Sequence, residues 1–277
     1  MPIGPGEQDV RKLQLTGGST YTMSLPKPWI LSNNLNARDG IRVDWRPTGE
    51  LSLTPLDVID DLKTVVKLNL DQIPIAALYD HLMGAYLSGV QEISVQSESP
   101  LTRNSRNDIR RFLRSTRGFE IGQETDSNVH LISLLNAGEL PLHASLNRMY
   151  LLFSSMIRDI YDVLIGSDDD LIIDFEERER EADGLHYLIE RQVGSMLDSQ
   201  HVARSLGLSR KEGVEHANLA RSLERMMDHA HEMARLTLET TPRPRLKQDE
   251  YPLSLLPVCM EALKLSLIHI SEPTRLR

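Results

Sequence analysis

The chain has 277 residues, 40% hydrophobic and 26% charged, with a net charge of −9, the profile of a soluble globular protein long enough for two or three cores. That acidity argues against wholesale coating of nucleic acid. The single Cys259 excludes an intramolecular disulfide and any cysteine-rich zinc site, and fits a reducing cytoplasm. Neither a charged-then-apolar leader nor an apolar run of about 18 residues appears, so neither secretion nor membrane spanning is expected.

Residues 10–56 read as a short β unit. Strand, Gly17-Gly18 turn and strand come first, with Tyr21, Met23 and Leu25 alternating against Thr20, Thr22 and Ser24. A proline-led turn enters a short helix ending near Asn34; Gly40 then precedes a strand at Ile41–Trp45, and Leu51–Leu53 closes the unit. About 45 residues bury too little apolar surface to fold alone, so exchange of hairpins in a dimer is the expected remedy. The order, with Gly-Gly-Ser19 and Ser24-Leu25-Pro26-Lys27, resembles the AbrB/SpoVT swapped-hairpin DNA-binding fold. By that resemblance, Arg11, Lys12 and Lys27 are the candidates to meet DNA phosphate, with Arg38 and Arg42 as outer contacts, and binding should depend on salt. Pro28 stands where that family commonly has an acid. A dimerisation module with ordinary surface arginines is the alternative.

Residues 64–135 alternate strand and helix signals in a small β-α-β-α-β-β layer. Val66, Leu68 and Leu70 alternate as a strand; Pro74 opens a helix with Leu78, Leu82 and Tyr86 four apart; Glu92–Val95 is the next strand. Thr102 is placed to cap a second helix, and Phe119–Ile121 with Val129–Ile132 read as a hairpin. The second helix sets Arg103, Arg106, Arg110, Arg114 and Arg117 three or four apart with Arg111 beside them, a stripe suited to an anionic partner or to simple solvation.

Residues 139–240 read as an antiparallel three-helix bundle, with helices at 141–165, 168–198 and 201–239 and breaks at Gly166-Ser167 and near Ser199. The core stripe of the second helix is Leu171, Phe175, Ala182, Leu185, Ile189, Val193 and Met196, and that of the third is Leu219, Leu223, Met227, Ala230 and Ala234. Most of the acidity belongs to the second helix. Two Glu-x-x-x-Asp repeats, Glu179 with Asp183 and Glu224 with Asp228, each put two carboxylates one turn apart, where like charges repel unless a cation sits between them. They lie roughly 75° to 140° from their stripe centres in the same rotational sense, so in antiparallel helices both pairs fall on one side. Four carboxylates suit Mg, Mn, Fe or Zn, and His229 could add a nitrogen. Asp159 on the first helix is a weaker contributor. The alternative is a solvated face in which Arg178, Arg180, Arg221 and Arg225 balance the acids.

No Gly-x-Ser-x-Gly elbow, P-loop or His-Glu-x-x-His occurs, so nucleophilic catalysis has no support, and a ferritin-like oxidase would want an absent Glu-x-x-His. His81, His130, His143, His186, His201 and His216 show no ligand spacing and read as packing residues. The phrase Glu224-Arg-Met-Met-Asp-His-Ala230 resembles the Arg/Glu-Arg-Ile-Gly-Asp-His-Ala signature of the PhoU family, the phosphate-uptake regulators, with Met226-Met227 in place of Ile-Gly. The resemblance implies an α+β, mainly α protein and a metal-binding bundle. It also implies a cytoplasmic, non-enzymatic role in phosphate uptake, with partners in a phosphate transporter or sensor kinase. A transcription regulator unrelated to phosphate and a carboxylate-bridged metalloenzyme are the alternatives.

After a proline-rich linker, residues 250–264 begin a new apolar helix through Leu255, Cys259 and Leu263, the expected start of a second, truncated bundle. Its apolar face is expected to pack loosely or stay exposed. Residues 265–277 resemble a translated sequencing adapter, from Leu265 to Arg275, so His269 and Glu272 are expected to have no functional role.

Overall fold

The computed structural model describes residues 10–45, 49–56, 65–135, 138 and 140–271. The chain divides into two compact units, Met1–Lys63 and Thr64–Arg277.

In the first unit, β1 (Gln14–Thr16) and β2 (Thr20–Thr22) form an antiparallel hairpin with Gln14 opposite Thr22. Gly17 and Gly18 turn it at φ of 64° and 84°, a region that side chains with a Cβ resist. Helix α1 (Lys27–Ser32) carries proline in its first turn, where a missing N–H costs nothing. Strands β3 (Ile41–Trp45) and β4 (Leu51–Pro55) pair antiparallel. Among the described residues of this unit only Leu35, Asp44 and Pro55 are buried. Tyr21 is 70% and Trp45 78% exposed, so the alternating pattern builds an apolar face that the unit does not cover itself.

The second unit begins with the layer the sequence predicts. β5 (Val65–Asn69) leads through a 3-10 turn into α2 (Leu78–Leu87) and parallel β6 (Glu92–Gln96). Helix α3 (Arg103–Ser115), capped by the Thr102 hydroxyl accepting from the Ser105 N–H, leads to β7 (Phe119–Glu124) and β8 (Asn128–Ser133). The sheet order is β5-β6-β8-β7. Tyr86, Phe112 and Phe119 meet edge to face in its core, with ring centroids 5.7 to 6.1 Å apart.

Three long helices follow: α4 (Leu142–Ile165), α5 (Phe175–Asp198) and α7 (Arg210–Glu239), with the short α6 (Gln200–Leu206) between the last two. Their core runs from Leu146, Met156 and Ile160 on α4 through Leu185 and Ile189 on α5 to Leu223, Met227 and Ala230 on α7. Two helices differ from expectation. The one expected from 168 starts at Phe175, because the Asp168 carboxylate accepts from the Asp170 N–H and holds Asp169–Ile172 as a 3-10 turn, leaving Leu171 39% exposed. The one expected from 201 breaks at Gly207, left-handed at φ 67°, and restarts at a capping box in which Ser209 and Glu212 exchange hydrogen bonds.

Arg191 on α5, 3% exposed, joins layer to bundle. Its guanidinium donates to the Tyr86 carbonyl at 2.6 Å and the Val90 carbonyl at 2.7 Å. At the end of the unit, α8 (Leu256–Ser271) is only partly as expected. Leu253 is buried and Leu256, Met260 and Leu263 pack on the bundle core, while Leu255 is 47% and Val258 63% exposed. One face is therefore occupied and the other bare. The reading of residues 265–277 lies outside the described side chains. The whole is α+β, mainly α, as the sequence indicates.

Candidate metal centre

Glu179 and Asp183 stand one turn apart on α5, and Glu224 and Asp228 one turn apart on α7. The two helices pack antiparallel through Leu185, Ile189, Leu223 and Met227, which sets the carboxylate pairs against each other along one side of the contact. Glu179, Asp183 and Asp228 each bring an oxygen within 4.8 Å of the others. Glu224 stands beside this trio, close enough for its charge to act on Asp183.

The electrostatics follow from that crowding. Asp183 is pushed up to about 7, first by burial and then by the charges of Glu179, Glu224 and Asp228. Burial and Asp228 also raise Glu224. Among the described residues none of the four carboxylates has an ion pair; of the arginines expected to balance them, Arg225 acts by charge on Glu224 and the other three are engaged elsewhere. Arg178 pairs with Asp174 and with Asp159, Arg180 with Glu176, and Arg221 with Glu190 at 2.7 Å. Asp159 is thereby drawn away from the cluster and is no third contributor. Four crowded acids, three of them partly buried, with only Arg225 and His186 acting on Glu224 by charge, form a site of negative potential, where oxygen ligands favour a hard or borderline cation. The donor set present therefore fits a metal ion.

His229 is exposed, and no contact links it to the cluster. Two neighbours were not anticipated. Tyr187, one turn beyond Asp183, is pushed up to about 12 by burial and then by Asp183, Tyr79, Glu224 and Glu179, so its hydroxyl stays protonated at the edge of the cluster. His186 acts by charge on Glu224, and its Nε2 lies 3.5 Å from Glu190. The signal for both was their spacing of three and four from Asp183, not any spacing among the histidines.

The other candidates are dispersed. Arg11 donates to the Ser24 hydroxyl at 3.4 Å, Lys12, Lys27 and Arg38 are exposed, and Arg42 is held 3.3 Å from the buried Asp44 carboxylate. On α3, Arg103, Arg110 and Arg114 are exposed and Arg106 pairs with Glu124 and donates to the Thr125 and Asp126 carbonyls; Arg117, expected on the same stripe, lies past the helix end, 3.8 Å from Glu181.

Residues 146–237, most of α4 through α7, match the family of the PhoU domain. Comparison with curated proteins and with solved structures finds no match. Among the described residues no helix is long and apolar enough to cross a membrane.

Proposed function

We propose that the protein is a non-enzymatic, cytoplasmic regulator of phosphate uptake whose three-helix bundle carries a metal site at Glu179, Asp183, Glu224 and Asp228. The observation that carries this reading is the coincidence of two things. The PhoU domain match spans 146–237, and inside it carboxylates crowd together on facing helices. Fe, Mn, Zn or Mg would be held by these oxygens, with His229 available only after its side chain turns inward. A bound ion would offset the burial and the mutual repulsion that push Asp183 up, and lock α5 against α7. The chain's own residues bind and orient.

The N-terminal unit serves in this reading as a dimerising or DNA-binding module, supported by its bare apolar face and by the exposed Lys12, Lys27 and Arg38. The partners are a phosphate transporter or its sensor kinase. Metal analysis of the purified protein beside the phosphate-limitation phenotype of a deletion tests the reading. Bound transition metal and deregulated phosphate uptake are expected. A metal-free protein with no divalent-metal affinity, or a deletion indifferent to phosphate, would contradict it.

A further inference from the structure

The outward face of α3 takes no part in the carboxylate cluster. At 100° per residue Arg103, Arg106, Arg110 and Arg114 fall within about 80° of one another, roughly opposite the buried Ser105, Ile109 and Phe112, while Arg117 lies beyond the helix end at Ser115. Among the described residues Arg103, Arg110 and Arg114 make no ion pair or hydrogen bond. Two acids packed near the stripe are already engaged, Glu124 by Arg106 and Glu181 by Arg148. Arg111 extends the surface sideways, its guanidinium carbon over the Tyr79 ring 4.1 Å from the centroid.

What the face lacks identifies its partner. Between the arginines stand Asn104, Asn107 and the half-buried Asp108, and no exposed aromatic or aliphatic side chain lies on this helix. Protein interfaces centre on desolvated apolar or aromatic anchors. Phosphate backbones are gripped by arginine, asparagine, serine and threonine without such anchors, and arginine forks match phosphate oxygens in pairs. From Arg103 to Arg114 the stripe runs about 16 Å, long enough for several successive phosphates. We propose that α3 is a nucleic-acid contact surface that grips the sugar–phosphate backbone and reads no base sequence. It is independent of the N-terminal unit and of the metal site. The protein's net acidity confines the contact to this stripe and keeps the rest of the surface away from the polyanion.

The test uses the full chain, a fluorescent oligonucleotide duplex of mixed sequence and its single strand, and anisotropy across a salt series. The variant R103A/R110A/R114A keeps helix-favouring residues at exposed positions, and circular dichroism checks that it folds. The expected result is a loss of at least about tenfold in affinity at low salt, with the salt slope flattened by roughly 2 to 3 for three lost phosphate contacts. The same loss should appear in a K27A background, which separates this surface from the N-terminal unit. Unchanged affinity and slope in the triple variant would overturn the proposal. So would a parent protein that binds neither oligonucleotide, or an arginine-dependent preference for a polyglutamate peptide over nucleic acid of equal charge, which would point to an acidic protein partner.

Discussion

Asp183 is the residue on which the account turns. A carboxyl raised to about 7 from 3.8 binds more protons folded than unfolded, so its contribution is fully present below about pH 4 and is lost as pH rises through about 7. Discounted for its partial exposure, the penalty above neutrality is on the order of 2 kcal/mol. Metal-free Asp183→Asn should therefore be more stable than the parent above pH 7 by about 1 to 2 kcal/mol in denaturant titrations, and should lose metal-dependent stabilisation. Equal stability of the two proteins above neutrality would show that the carboxyl is unstrained. Since metal displaces the proton, the parent's metal affinity should rise between about pH 6 and 8 while protons are released. At this scale the sequence revealed the acids well, because a spacing of four and a common rotational sense need no tertiary knowledge. It did not reveal that Arg178 would be taken by Asp159 and Asp174, since arginine is long enough to choose among several partners.

At the scale of elements, the joint between α/β layer and bundle rests on Arg191, a buried cation with backbone carbonyls and aromatic faces in place of a carboxylate. The Tyr86 carbonyl lies at the C-terminal end of α2, where the helix dipole is negative, and the guanidinium centre lies 4.9 Å and 5.2 Å from the Tyr86 and Phe119 ring centroids. Arg191→Met fills similar volume but takes the side-chain donor from the Val90 carbonyl and leaves the Tyr86 carbonyl with the Gly89 N–H alone, so it should cost about 1 to 3 kcal/mol. A denaturant midpoint lowered at unchanged slope checks this, with amide protection falling first in β5, β6 and α2. Wild-type stability would mean that water reaches those carbonyls. Nothing in the sequence marked Arg191, because an arginine amid Glu190, Gln192 and Val193 reads as one more charge on a bundle helix. The bundle's core stripes were legible because helical periodicity is local. The break before Phe175 was not, because three aspartates fit an acidic helix start as well as a 3-10 turn, and only the cap to Asp170 decides.

For the whole molecule, the N-terminal unit predicts self-association. With Leu15 58%, Tyr21 70% and Trp45 78% exposed, it presents an apolar surface of the kind that marks an interface. Light scattering should report a dimer at micromolar concentration, and Tyr21→Ser with Trp45→Ser should shift it toward monomer; a compact parental monomer would end that reading. Exchange of hairpins was expected from the unit's small size, whereas the register between chains leaves no mark in one chain's pattern. The central claim, that the two Glu-x-x-x-Asp repeats form one metal site, is tested most directly by calorimetric titration of the metal-free full chain with Mn(II) and Zn(II) at about pH 8, parent beside Asp183→Asn. Saturable binding in the parent, with proton release and at least about tenfold weaker binding in the variant, is predicted. Identical isotherms for the two proteins, or no heat in either, would contradict it.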